Sequence, residues 1–178
     1  MSLLSAFFLR TWQQRGWAAQ LLRPAAALYG YALRRKAAHF RPSPLAPRPP
    51  LIVVGNAVVG GVGKTPIVIA LVQHLQSLGY QPGVVSRGYG RQNASEQILE
   101  VLGHTPAAQA GDEPLLIAQS TNAPAFVAAN RPAALTALCA AHPQVNIVIS
   151  DDGLQHWALP RDIEVLVWDG RGAGNGYL

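Results

Sequence analysis

Acidic residues are missing from the first 50 positions of this 178-residue chain, which carry eight basic side chains: Arg10, Arg15, Arg23, Arg34, Arg35, Lys36, Arg41 and Arg48. Because the whole chain has a formal net charge of +5, the remaining positions hold −3. The positive charge therefore belongs to an N-terminal arm and not to the body. Charged residues are scarce overall, 13% against 49% hydrophobic, which excludes a disordered or heavily solvated chain. One cysteine, Cys139, excludes an internal disulfide framework and offers no metal cluster. Within PAALTALCAA it reads as an inert, buried thiol, and the chain as one kept in a reducing, cytoplasmic setting. Long apolar runs are lacking too: beyond Arg10 the arm's longest uncharged stretch is residues 24–33, whereas a membrane span needs about 20 apolar residues. No basic residue precedes MSLLSAFFL and no small-residue cleavage site follows it, so a secretory signal is not expected. The body does not interleave aromatic and basic residues, so no nucleic acid is expected as a partner.

What the arm does contain is amphipathic. Leu4, Phe8 and Trp12 repeat every four residues, as do Trp17 and Leu21, with arginines between them. That pattern describes a helix lying in a membrane interface, bent at Pro24, with Arg34, Arg35 and Lys36 among anionic headgroups. The competing arrangement is a helix packed on the protein's own body with a solvated basic face. Residues 41–50, RPSPLAPRPP, hold five prolines and form a stiff extended connector. The expected organisation is a helical membrane-associated arm over 1–41, a proline-rich linker over 42–50 and a nucleotide-binding α/β domain over 51–178.

In the body, LIVV (51–54), PGVVS, APAFVAA, VNIVIS and IEVLVWD read as strands, and KTPIVIALVQHLQSL, PLLIAQS and PAALTALCAAH as helices. Strands alternating with helices imply a doubly wound, mostly parallel sheet with ligands at the strands' C-terminal ends. The segment VGNAVVGGVGKTP lies between such a strand and helix. Its Gly63, Lys64 and Thr65 fit the second half of a P-loop, although Val58 stands where the usual pattern has its first glycine. Backbone N–H groups freed by Gly60, Gly61 and Gly63, together with the positive helix end, would cradle phosphate. Lys64 would reach the β- and γ-phosphates, and the Thr65 hydroxyl would ligate Mg²⁺. Asp151 and Asp152, ending an apolar strand, fit the acid that holds that Mg²⁺. Asp112 and Glu113 in GDEP are candidates for helix capping or for accepting a hydroxyl proton. Arg87 and Arg91 are candidates for phosphates or carboxylates, and His156 for a polar ligand or a buried core histidine.

With VGNAVVGGVGKTP, SRGYG, GDEP, DDGLQH and GNG in this order, the chain resembles the tetraacyldisaccharide 4'-kinase family, the lipid A 4'-kinases of Gram-negative bacteria. The resemblance covers essentially the whole chain, with Leu154 where the family usually has Phe. It implies an enzyme that moves the γ-phosphoryl of ATP to the 4'-hydroxyl of a lipid A disaccharide 1-phosphate at the cytoplasmic face of the inner membrane. Val58, Val59, Gly60, Gly61, Val62, Gly63, Lys64 and Thr65 would line the ATP phosphates, Asp112 would be the catalytic base, and Thr65, Asp151 and Asp152 would serve Mg²⁺. The family continues past GNG into a second, smaller α/β domain absent from these 178 residues, which implies a fragment or truncated product in which nucleotide binding survives and turnover is in doubt. Two other readings remain. One is a membrane-associated partitioning or positioning ATPase, which carries a lysine where Val59 stands; the other is a catalytically silent ATP-binding module.

Overall fold

The computed structural model describes residues 17–39, 48–56, 63–91, 97–154 and 156–168. The chain divides into two compact units, residues 1–41 with 168–178 and residues 42–167. In the first, helix α1 spans Trp17–His39 and continues through Pro24. At 100° per residue, Trp17, Leu21, Leu28 and Tyr31 fall within about 80° of one another on one face. All four are exposed. Among the described residues no helix is long and apolar enough to cross a membrane.

The second unit is the expected α/β body. It contains β1 (Leu51–Asn56), α2 (Lys64–Ser77), β2 (Pro82–Ser86), β3 (Leu99–Val101), α3 (Ala107–Ala110), α4 (Asp112–Thr121), β4 (Ala125–Val127), α5 (Arg131–Ala141), β5 (Ile147–Asp151) and β6 (Ile163–Val167). The six strands lie in the order β3-β4-β2-β5-β1-β6. Every pairing is parallel except β3 with β4.

Two apolar layers follow from the period-two alternation of the central strands. Ile52, Val54, Val84 and Ile149 face the side covered by α2 and α4, where Val68, Val72, Leu75 and Ile117 are buried. Leu51, Val53, Val85 and Val148 face α5, whose Ala134, Leu135 and Leu138 complete the opposite layer. Helix α2 ends where Gly79 turns the chain: with φ +85°, it and Tyr80 donate back to Gln76 and Leu75, each at 3.0 Å. Cys139 is only half-buried on α5, not fully buried as its apolar context suggested. Desolvation nevertheless raises its pKa, keeping it a protonated, unreactive thiol.

Register determines what meets at the C-terminal edge. Val54 of β1 stands opposite Asp151 of β5, and Val85 of β2 opposite Ser150. The segments that follow β1, β2 and β5 therefore leave the sheet side by side.

Candidate active site

The strand β1 exits through Gly55, where a Cβ would lie 2.6 Å from Cγ of Leu154. Any side chain there would collide with the loop after β5, so the glycine keeps the two segments in contact. Val58, Val59, Gly60, Gly61 and Val62 lie outside the described residues. Gly63 caps α2 with φ +76° and open space around the position of a Cβ. Its role is conformational, letting the loop turn into the first helical residue, Lys64.

Lys64 is the centre of the observed contacts. Its Nζ donates to Asn56 Oδ1 at 2.8 Å and lies 3.5 Å from Asp152 Oδ1. The ammonium is thus held over the end of β1, on the same edge as the β5 carboxylates. Thr65, the next residue, is half-buried in the first turn of α2.

The two adjacent aspartates, equal candidates by sequence, occupy different environments. Asp151 is 1% exposed. Its Oδ2 accepts from Ser86 Oγ at 3.5 Å, and its buried Oδ1 has no hydrogen-bond partner. Burial, reinforced by the Glu113 and Asp152 carboxylates, raises its pKa from 3.8 to about 6, although Lys64 and Arg131 pull the other way. A buried carboxylate oxygen without a donor, surrounded by excess negative charge, suits a divalent cation. Asp152 is exposed, faces Lys64, and adopts a left-handed backbone with φ 54°. That conformation is costly for a non-glycine residue and is held by neighbours.

One neighbour is Arg131, which opens α5 and is 5% exposed. Its Nη2 donates to the backbone oxygen of Asp152 at 2.7 Å. Burial lowers its pKa; Asp152 and Asp151 oppose that effect, and Arg87 adds to it. A second tie is Gly153 N–H, which donates to Val54 O at 3.3 Å. Sequence reading missed Arg131 because it belongs to no motif; a basic residue directly after the capping Asn130 was its sole signal.

Two glycine loops close the other side of the edge. Gly111, φ +88°, caps α4 without a side-chain cap bond, so Asp112 is the first helical residue and not the cap. This overturns the capping alternative for Asp112, whose carboxylate is exposed instead. Glu113 is the acid whose charge is felt at Asp151. A Cβ on Gly111 would approach Tyr89 O at 2.9 Å and one on Gly88, φ +68°, would approach Ala110 O at 2.8 Å. SRGYG and GDEP are therefore packed backbone against backbone.

For Arg91, a phosphate or carboxylate candidate by sequence, the described contacts are to backbone carbonyls. Its guanidinium is buried and donates to Gln97 O at 2.7 Å and Val127 O at 3.5 Å, bracing the loop. Arg87 stays exposed near Arg131. His156 is half-buried, in a loop organised by Arg161, which donates to Leu154 O at 3.1 Å and His156 O at 2.9 Å. GNG (174–176) lies outside the described residues.

Comparison with known proteins gives one consistent result. The family model for tetraacyldisaccharide-1-P 4'-kinase matches residues 18–178. The chain is 55% identical over 173 residues to the tetraacyldisaccharide 4'-kinase of Polaromonas sp. (strain JS666), covering 96% of this chain and 51% of that protein. It is 54% identical over 183 residues to the protein of the same name from Herminiimonas arsenicoxydans, covering 99% of this chain and 50% of the other. Among solved structures it is similar to the "apo" form of LpxK from Aquifex aeolicus in complex with ATP. That match has a TM-score of 0.69 and 29% identity, and it covers 88% of this chain and 53% of that one. The chain spans about half the length of the curated relatives it matches.

Proposed function

The chain belongs to the tetraacyldisaccharide-1-P 4'-kinase family, and from that premise we propose that it forms the ATP-binding half of a kinase acting on a lipid A disaccharide 1-phosphate. The observation that carries the proposal is the position of Lys64, the first residue of α2, with its Nζ between Asn56 and Asp152 at the C-terminal edge of the sheet. A cation there neutralises the β- and γ-phosphates of a nucleotide seated on the glycine loop and the helix N-terminus.

In the reaction proposed, the acceptor's 4'-hydroxyl oxygen attacks the γ-phosphorus, the bond to the bridging oxygen breaks and ADP departs. The hydroxyl proton passes to the carboxylate of Asp112, which is exposed at the start of α4 and free of capping duty. Mg²⁺ fits the residues present: Asp151 offers an unpartnered buried oxygen and Thr65 a hydroxyl. Among the described residues no group of three His, Cys, Asp or Glu could hold a metal by itself. A nucleotide-bound Mg²⁺ does not need one, since phosphates and water supply most of its ligands. When bound, it would offset charge on the transferred phosphoryl group.

The same proposal includes the cytoplasmic face of the inner membrane. Trp17, Leu21, Leu28 and Tyr31 are exposed on one face of α1 with Arg23 and Arg34 off it, while Arg35, which shares the azimuth of Trp17 near the helix end, would reach anionic headgroups by its long side chain.

The deciding experiment offers radiolabelled γ-phosphate ATP, Mg²⁺ and tetraacyldisaccharide 1-phosphate to the protein. Labelled lipid is the expected product. ATP binding without transfer would identify a silent ATP-binding module, and absence of ATP binding would overturn the nucleotide site itself. Co-sedimentation with anionic vesicles, reduced by Leu21→Glu with Leu28→Glu, tests the membrane part; unchanged sedimentation would refute it.

A further inference from the structure

Tyr89 is 84% exposed, the highest exposure among the large hydrophobic side chains described. A freely moving surface tyrosine would need no explanation, but this one stands on a rigid support. The Arg91 N–H closes a turn onto Gly88 O at 3.3 Å, and Gly90 at the third position has φ +80°, the backbone that lets the second position project outward. The backbone of the turn is packed against Gly111 so closely that a Cβ there would lie 2.9 Å from Tyr89 O. Below it, the buried Arg91 guanidinium anchors the following residue to Gln97 O and Val127 O. The ring is thus presented from a fixed platform, which lowers the ordering cost of any ligand contact it makes.

Its place in the sheet indicates which ligand. The turn leaves β2, and β5 separates β2 from β1, after which the phosphate loop begins. At about 4.8 Å per strand, the ring's support lies roughly 10 Å from the end of β1, on the far side of Asp151. Its direct neighbour is the Gly111 loop that leads into Asp112. The group attacking phosphorus must arrive on that far side, because attacking and leaving oxygens lie in line.

We propose that Tyr89 is an acceptor-recognition residue whose ring stacks on a sugar of the disaccharide being phosphorylated, an assignment that rests on the kinase reading above. The carbon-bound hydrogens on one face of a pyranose match the electron-rich face of an aromatic ring. The phenolic hydroxyl is secondary, so Tyr89→Phe retains the contact and Tyr89→Ala loses it.

The test is steady-state phosphoryl transfer with ATP and the disaccharide 1-phosphate varied separately, using wild-type protein, Tyr89→Phe and Tyr89→Ala, with melting temperatures measured in parallel. The expected result is a KM for the acceptor raised about tenfold in Tyr89→Ala, the loss of one aromatic contact, with KM for ATP unchanged and near-wild-type behaviour in Tyr89→Phe. An unchanged acceptor KM in a folded Tyr89→Ala would overturn the proposal, as would a rise confined to ATP, which would mean that the ring serves the nucleotide. Wild-type protein that transfers nothing to the lipid acceptor would overturn the kinase reading itself, an outcome distinct from a null effect at Tyr89.

Discussion

Arg131 Nη2 donates to the backbone oxygen of Asp152 at 2.7 Å, and Asp152 sits in the left-handed region at φ 54°. The buried guanidinium at the start of α5 thereby stabilises a strained backbone that turns the Asp152 carboxylate toward Lys64. Arg131→Met removes the donor and leaves a carbonyl unpaired beside a costly conformation. It should destabilise the folded protein by about 1–3 kcal/mol, measured by chemical denaturation. Arg131→Lys should recover part of this, because an ammonium can reach a single acceptor without the guanidinium's fork.

Lys64→Ala should lower ATP affinity at least about tenfold by isothermal calorimetry, since one charge-assisted phosphate contact is worth roughly 1.5–3 kcal/mol. The melting temperature should change little, because the side chain contributes nothing to either apolar layer. Equal ATP affinity would remove Lys64 from the phosphate site.

Asp162 is expected to make stability acid-sensitive. Its carboxylate accepts from Arg48 Nη1 at 2.6 Å and from Leu51 N–H at 2.7 Å, and these bonds, the Arg48 one foremost, lower its pKa below 3.8. A lowered folded-state pKa contributes stability above the unfolded value. That contribution is lost as pH falls from about 4 through the lower folded value. Because Asp162 is half-exposed, the effect should be under about 1 kcal/mol. Asp162→Asn should fall short of wild-type stability at neutral pH, and the gap should narrow as pH falls below about 4.

Gly111→Ala and Gly90→Ala should separate backbone conformation from contact. Both glycines have positive φ, +88° and +80°, but only Gly111 faces an obstruction, Tyr89 O at 2.9 Å, whereas Gly90 has open space. The Gly90 substitution should cost about 1 kcal/mol. The Gly111 substitution should cost more, and nuclear magnetic resonance shifts should spread into both SRGYG and GDEP.

The α/β body was legible from sequence where local pattern and tertiary demand agree. Val68, Val72 and Leu75 are buried at the helical period of α2, and Gly79 ends it. The antiparallel edge strand β3, only Leu99–Val101, and the four-residue α3 were missed because such short elements have too little periodicity to read. Asp112 had looked suited to capping by residue type; the helix began one residue earlier in the backbone than that role requires, with Gly111 at the cap.

By itself, the sequence determined the strand–loop–helix around Lys64, the carboxylate pair at the end of β5 and the family to which the chain belongs, because glycine spacing and strand alternation are local properties. The tertiary structure alone decided that Asp151 is buried with an unpaired oxygen while Asp152 faces Lys64, that Arg131 supports the second of these, and that Glu113 acts on the first. Those distinctions depend on the strand order β2-β5-β1 and on burial, which bring together residues up to about 100 positions apart and set the dielectric around them.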